Sequence, residues 1–230
     1  MAAVTAVDAV ARAPVERPTT IFLNDEEWLT VQTTPIDLQD WVIGYLCGEG
    51  VIDQVDEITR LVVEEERGLI WVDLAERRRT EIELAPVTHG LAVPEERLLR
   101  WMQEMLANAP LYRETGGIHV SMAVRADTGE RIIREDIGRH NAVDKALGAA
   151  RKAGWPAAQV VVLTSGRISY EMCTRLARFG AGIGVSRTAA TDQAYELAIS
   201  LGIELVGYVR TADSLIVYTK GNRVVRRIEA

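Results

Sequence analysis

Val160-Val161-Val162-Leu163 is the stretch that most constrains the fold of this chain. An unbroken apolar run lacks the alternation of a strand with one wet face, so it reads as a strand covered on both sides. It sits in a series of alternating elements. Val143, Ala146, Leu147 and Ala150 space a helix over residues 141–153, with Gly154 as its stop. Beyond the apolar strand the pattern predicts a helix at 169–179, a strand at 183–186, a helix at 189–201 and strands at 205–209 and 215–218. This order implies an α/β fold with a mostly parallel sheet and helices on both faces.

The chain before it reads differently. Residues 19–23 and 28–32 form short apolar runs around the turn-forming Asn24-Asp25-Glu26, which predicts a hairpin. Asp37 is placed to cap a helix carrying Leu38, Trp41, Val42, Tyr45 and Leu46. A second hairpin is expected at 58–63 and 69–74, and Leu84 to Gly90 reads as a loop, with 76–83 ambiguous. These elements predict a small α+β domain over 18–90 after a disordered tail at 1–17, and an α/β domain over 91–230. The second opens with a core-facing helix from Pro94 (Leu98, Leu99, Met102, Met105, Leu106), ended by Asn108 to Pro110. A hairpin at 119–124 and 131–134 follows.

Several function classes are disfavoured. A net charge of −7 argues against general nucleic-acid binding; the basic clusters Arg77-Arg78-Arg79 and Arg223, Arg226, Arg227 read as solvated surface. No apolar run approaches the roughly 20 residues that span a bilayer, and residues 1–15 lack a basic start, so a cytoplasmic protein is expected. The only cysteines, Cys47 and Cys173, make neither a metal-ligand pair nor a disulfide framework.

Ligands of α/β sheets bind beyond the carboxyl ends of the strands, where helix N-termini favour anions. Two junctions have that polarity. In the first, Gly138 lets the chain turn, Arg139, His140, Asn141 and Lys145 offer donors, and Glu135, Asp136 and Asp144 can accept. In the second, Ser165, Gly166, Arg167 and Ser169 make a donor-rich turn. Together they predict a pocket for an anionic, nucleotide-like ligand. His119, near the start of its strand, fits either a structural role or this site. Phe179 to Gly184 is glycine-rich but follows a helix and precedes a strand, the reverse of a dinucleotide fingerprint, so Gly180 reads as a helix cap. The three histidines, His89, His119 and His140, lack zinc-site spacing, and T-S-G-R-I lacks a hydrolase elbow.

G-G-I-H (116–119), E-D-I-G-R-H-N-A-V-D-K (135–145), T-S-G-R-I-S-Y-E-M (164–172), L-V-G-Y-V-R (205–210), V-Y-T (217–219) and the opening T-P-I-D-L-Q-D-W-V-I-G-Y-L-C-G-E-G-V-I (34–52) resemble the FdhD family of formate dehydrogenase accessory proteins. The resemblance implies a C-terminal domain of cytidine-deaminase-like fold. It implies binding of the molybdenum bis(molybdopterin guanine dinucleotide) cofactor, or of its GDP moiety, and transfer of sulfur to it from a cysteine desulfurase before insertion into formate dehydrogenase. It also implies a homodimer, and a cofactor-binding segment at Tyr208, Val209, Arg210, Thr211, Ala212 and Asp213. The family's sulfur-carrying C-x-x-C maps onto Ala85-Pro86-Val87-Thr88, so Ala85 and Thr88 stand where the cysteines would be. A persulfide needs a thiolate, which leaves Cys173 as the one replacement near the pocket. The expected function is therefore a cofactor-binding maturation factor that takes part in sulfuration. The alternative is a cofactor chaperone or regulatory module without sulfur transfer. A nucleotide deaminase would need metal ligands that the chain lacks.

Overall fold

The computed structural model describes residues 13–75 and 84–225; the expectations for residues 1–12 and 76–83, and for Arg226 and Arg227, fall outside them. Strands β1 (Arg17–Leu23) and β2 (Glu26–Thr33) form the first hairpin. Its turn residues Asn24 and Asp25 both take positive φ, 51° and 65°, the backbone of a tight turn whose twist suits a hairpin. Strands β3 (Ile58–Glu64) and β4 (Leu69–Leu74) form the second, and β4 pairs in parallel with β1, giving the order β2-β1-β4-β3.

Helix α1 (Leu38–Gly48) covers this sheet with Leu38, Trp41, Val42 and Leu46, packed against Ile21, Leu23, Ile70 and Val72. Asp37 precedes it but makes no side-chain cap; its backbone is left-handed and its carboxylate lies 3.5 Å from Arg134. On its other side α1 crosses helix α4 (Arg139–Lys152) backbone to backbone. A Cβ at Gly44 would fall 1.8 Å from the Asp144 carbonyl oxygen, and one at Gly148 would fall 1.9 Å from that of Asp40. Only glycine at both positions allows this approach, which locks the N-terminal sheet and helix to the C-terminal unit.

The larger sheet has the order β11-β10-β9-β8-β6-β7. Its strands are β6 (His119–Arg125), β7 (Arg131–Asp136), β8 (Val160–Thr164), β9 (Ile183–Ser186), β10 (Glu204–Gly207) and β11 (Ile216–Val217). Parallel pairing holds across β8, β9 and β10. The flanks are antiparallel, because β6 and β7 form a hairpin, β8 returns beside β6, and β11 folds back on β10. Strand β8 has both faces covered, as its apolar run predicts. Val160 and Val162 face α4 and the helices α5 (Tyr170–Phe179) and α6 (Asp192–Leu201). Val161 and Leu163 face helix α2 (Glu95–Ala107), with Leu98, Trp101, Met102 and Met105. Each such buried side chain contributes about 1.5–3 kcal/mol.

Three local differences have clear causes. The chain does not simply end its helix at Asn108 to Pro110 but begins a short helix, α3 (Pro110–Thr115), capped from a distance by the Glu135 carboxylate. Helix α6 starts at Asp192, not 189, because the Thr191 side chain accepts the Ala194 N–H. A small two-stranded sheet joins Val93–Pro94 (β5) to Val224–Val225 (β12), a pairing between distant segments. Among the described residues no helix is long and apolar enough to cross a membrane.

Candidate functional site

The first junction, between β7 and α4, divides into framework and site. Asp136 is fully buried and accepts from the backbone N–H groups of Thr34 (3.0 Å) and Gly138 (2.8 Å) and from the Asn141 amide (2.9 Å). Lys145, also fully buried, pairs with Asp136 at 2.7 Å and donates to the carbonyls of Thr34 and Glu135. Burial pushes its pKa down, opposed by Asp136. Asn141 donates further to Gln32 O, and Glu135 is spent on α3. Asp144 is buried against Arg175 at 2.7 Å; burial raises its pKa to about 6, with Arg175 opposing. Sequence places all five in the ligand site, whereas the structure gives Glu135, Asp136, Asn141, Asp144 and Lys145 partners within the fold. Their polar groups hold the N-terminal segment, α3 and α5 onto α4.

The remaining residues of both junctions meet at the carboxyl end of β8. The Ser165 hydroxyl accepts the Val120 N–H at 3.0 Å, which leaves its proton for His119 Nδ1, 3.4 Å away. Gly166 makes room for Arg139: a Cβ there would lie 3.0 Å from Arg139 Cβ and 3.4 Å from His119 Nδ1. Arg139 Nε is buried with no partner. His140 Nε2 contacts Ser169 Oγ at 3.2 Å and Glu171 Oε2 at 3.1 Å. A carboxylate only accepts, so Nε2 carries the proton. Burial, then Arg175 and Arg139, push the His140 pKa down to about 4. Burial and Arg139 lower His119 as well. Both imidazoles are therefore neutral near pH 7, and Arg139 carries the positive charge between them.

The loops after β8, β9 and β10 are stitched together at this edge. Ser186 Oγ donates to Gly166 O at 2.7 Å, the Arg187 N–H to Thr164 O, and the N–H groups of Tyr208 and Val209 to Thr188 O and Ser186 O. Tyr208 has φ +53° and is exposed; Arg210 lies over its ring and donates to Arg187 O. Val209 is buried, Thr211 and Ser214 cap a turn, and Ala212 and Asp213 are exposed. Arg167 is exposed, and its side chain makes no hydrogen bond or ion pair among the described residues. Arg139, Arg167, Arg187 and Arg210 thus stand on segments that meet at this edge, and none has a carboxylate partner among the described residues. Gly138 and Ser169 precede α4 and α5 without a side-chain cap, and the N-termini of both helices lie at this edge. Guanidinium groups and free helix N-termini together suit phosphate oxygens. Sequence reading missed Arg187, Thr188 and Glu171; the carboxyl-end rule applied to I-G-V-S-R-T would have found the first two.

Neither cysteine is poised for sulfur chemistry. Cys173 is fully buried in the core between α4, α5 and β8, and burial pushes its thiol up to about 12. The expected replacement carrier is thus a core residue. Cys47 is also buried, with its thiol up to about 11. Ala85 and Thr88 are exposed on a loop pinned at the other end of the sheet: Val87 bonds to Leu201 O, Arg223 holds the carbonyls of Val87 and His89, and His89 donates to Gly180 O.

The comparisons with known proteins agree with this architecture. The profile of the FdhD/NarQ family matches residues 14–84 and 75–225. The sulfur carrier protein FdhD of Bacillus licheniformis is 31% identical over 235 residues, 91% of this chain and 88% of its own length. That of Listeria innocua is 32% identical, covering 91% of this chain and 90% of its own. A crystal structure of a candidate formate dehydrogenase accessory protein from Desulfotalea psychrophila superposes with a TM-score of 0.82 at 29% identity, covering 93% of this chain and 90% of that one. A shared profile, shared identity along nearly the whole length and a shared fold place the chain in the FdhD/NarQ family.

Proposed function

We propose that this chain is a cytoplasmic accessory factor of formate dehydrogenase maturation that binds the molybdenum bis(molybdopterin guanine dinucleotide) cofactor as cargo. The phosphates of the guanine dinucleotide lie on the carboxyl edge of the large sheet. The observation that carries this reading is that the segments bearing Arg139, Arg167, Arg187 and Arg210, none paired with a carboxylate among the described residues, meet there beside two helix N-termini without side-chain caps. A diphosphate bridging α4 and α5 would accept from the accessible part of the half-buried Arg139 side chain. His119 lies on the same side of Gly166 as the Arg139 side chain, and His140, neutral near pH 7, adds no charge to the edge.

Holding the cargo and carrying its sulfur are separate tasks, and the second falls to another protein. The chain has only two cysteines; both are buried, with thiols raised to about 11 and 12. A cysteine desulfurase or a thiol of a third protein would deliver sulfur while this chain presents the cofactor. Formate dehydrogenase is the recipient, and self-association into a homodimer belongs to the same reading. GDP calorimetry tests the pocket, with Arg139→Ala and Arg167→Ala expected to weaken binding. Incubation with a cysteine desulfurase and labelled cysteine tests the division of labour: no stable label is expected, and label lost on Cys173→Ser would overturn it.

A further inference from the structure

The turn between β8 and α5 leaves one backbone donor unused. Over residues 165–168, the Ser165 N–H goes to Val120 O at 2.8 Å, that of Gly166 to Thr164 Oγ1 at 3.1 Å and that of Ile168 to Ala189 O at 3.0 Å. The Arg167 N–H has no acceptor among the described residues. Backbone N–H groups of a folded chain rarely stay unpaired, and Arg167 is exposed, so water or a ligand takes this one. The carbonyls of the same turn are fastened towards β9. Thr164 O accepts the Arg187 N–H at 3.0 Å and Ile168 O the Thr191 N–H at 3.0 Å; between them, Gly166 O accepts the Ser186 hydroxyl at 2.7 Å. Ser186 is the last residue of β9 and is fully buried. Its oxygen accepts the Thr188 N–H at 2.9 Å and lies 3.2 Å from Thr188 Oγ1. Since its own proton goes to Gly166 O, the Thr188 hydroxyl is the donor in that second contact. The Ser186 hydroxyl thus stands where the ladder between two parallel strands would otherwise have a backbone N–H.

We propose that Ser186 is a positioning residue of the anion site at the carboxyl edge, and that the backbone N–H of Arg167 is the donor it positions. A trans peptide unit is planar, so its C=O and N–H point in opposite directions. Gly166 O points to β9; the N–H of the same unit, that of Arg167, therefore points away from β9. The sheet order puts β6 on that side of β8. There, atoms of His119, the first residue of β6, and of Arg139 come within 3.4 Å of the place a Cβ on Gly166 would take. A phosphate oxygen seated beside Arg139 accepts from the guanidinium and from the Arg167 N–H together. The second donor is main chain, and a buried hydroxyl sets its direction. Without that hydroxyl the Gly166 carbonyl has no partner among the described residues, and the peptide is free to turn, taking the donor with it. This role of Ser186 rests on the reading of the edge as a phosphate site.

Amide NMR on the full chain, titrated with inorganic pyrophosphate, tests it. In the unmodified chain, binding should move the Arg167 amide proton downfield, and by more than the amides of Ser165 and Ile168, which already have acceptors. Ser186→Ala should bind pyrophosphate about tenfold more weakly and lose that shift, and Ser186→Thr, which keeps the hydroxyl, should restore both. Arg139→Ala should weaken binding yet keep the Arg167 shift at saturation, since the direction of that donor is set from β9. Pyrophosphate binding with an unmoved Arg167 amide overturns the role of Ser186 and leaves the phosphate edge standing; this amide decides even where a variant fails to fold. A folded Ser186→Ala that binds pyrophosphate as tightly as the parent overturns it too. Failure of pyrophosphate to bind the unmodified chain overturns the phosphate edge, and the role of Ser186 with it.

Discussion

Replacing Lys145 with Met separates framework from ligand site. The ammonium group is fully buried and makes three contacts: Asp136 Oδ2 at 2.7 Å, Thr34 O at 2.8 Å and Glu135 O at 3.1 Å. Met keeps the apolar stem and removes the charge. Asp136 is then a buried carboxylate without a counter-ion, a change that costs about 3–5 kcal/mol. It retains the N–H groups of Thr34 and Gly138 and the Asn141 amide, which puts the cost near the lower end, about 3 kcal/mol. For a chain of this size that lowers Tm by about 6–12 °C, at roughly 2–4 °C per kcal/mol. Adding Asp136→Asn should recover part of the loss, since the lone buried charge disappears with it. Urea denaturation gives the stabilities and GDP calorimetry on the folded variant gives the affinity, expected to be unchanged. A variant as stable as the parent that no longer binds GDP would refute the reasoning, because Lys145 would then face the ligand.

Three other expectations follow from the same geometry. An NMR titration should show the His140 ring neutral down to about pH 4; its folded pKa lies below the unfolded value, so its contribution lowers stability as pH falls from about 6.5 to 4, and a midpoint above 6 would contradict the burial argument. Both cysteines should resist a thiol reagent in the native state and react on unfolding, since their thiols are buried and raised to about 11 and 12; rapid native labelling of Cys173 would contradict its core placement. Gly148→Ala should cost about 3 kcal/mol or more, because its Cβ would meet a backbone oxygen at 1.9 Å and α1 must move away; a loss below 1 kcal/mol by chemical denaturation would show that the helix crossing is loose.

Much of the fold was legible because its signals are local. The apolar run of β8, the alternation after it and the turn residues Asn24 and Asp25 each encode structure within a few positions. The backbone contact of Gly44 with α4 and the capping of α3 by Glu135 could not be read that way, since each joins segments distant in sequence. Which residues of the polar motifs serve the fold was not legible in the sequence for the same reason. A dense polar motif marks a place where many hydrogen bonds must be made, but whether they go to a ligand or to the chain depends on tertiary partners. Asp136 and Lys145 found theirs inside the fold, whereas Arg139, four residues from the buried Val143 on the same helix, did not. Arg187 was missed because its loop is short and carries no motif of its own; only its position after a parallel strand marks it.

The most direct test of the central claim is GDP binding by calorimetry to the unmodified chain and to Arg139→Ala with Arg167→Ala. Each guanidinium making charge-assisted bonds to phosphate contributes about 1.5–3 kcal/mol, so the double variant should bind at least about a hundredfold more weakly while its stability stays close to that of the parent. GDP affinity that is the same in both proteins would contradict the assignment of the carboxyl edge as the phosphate site.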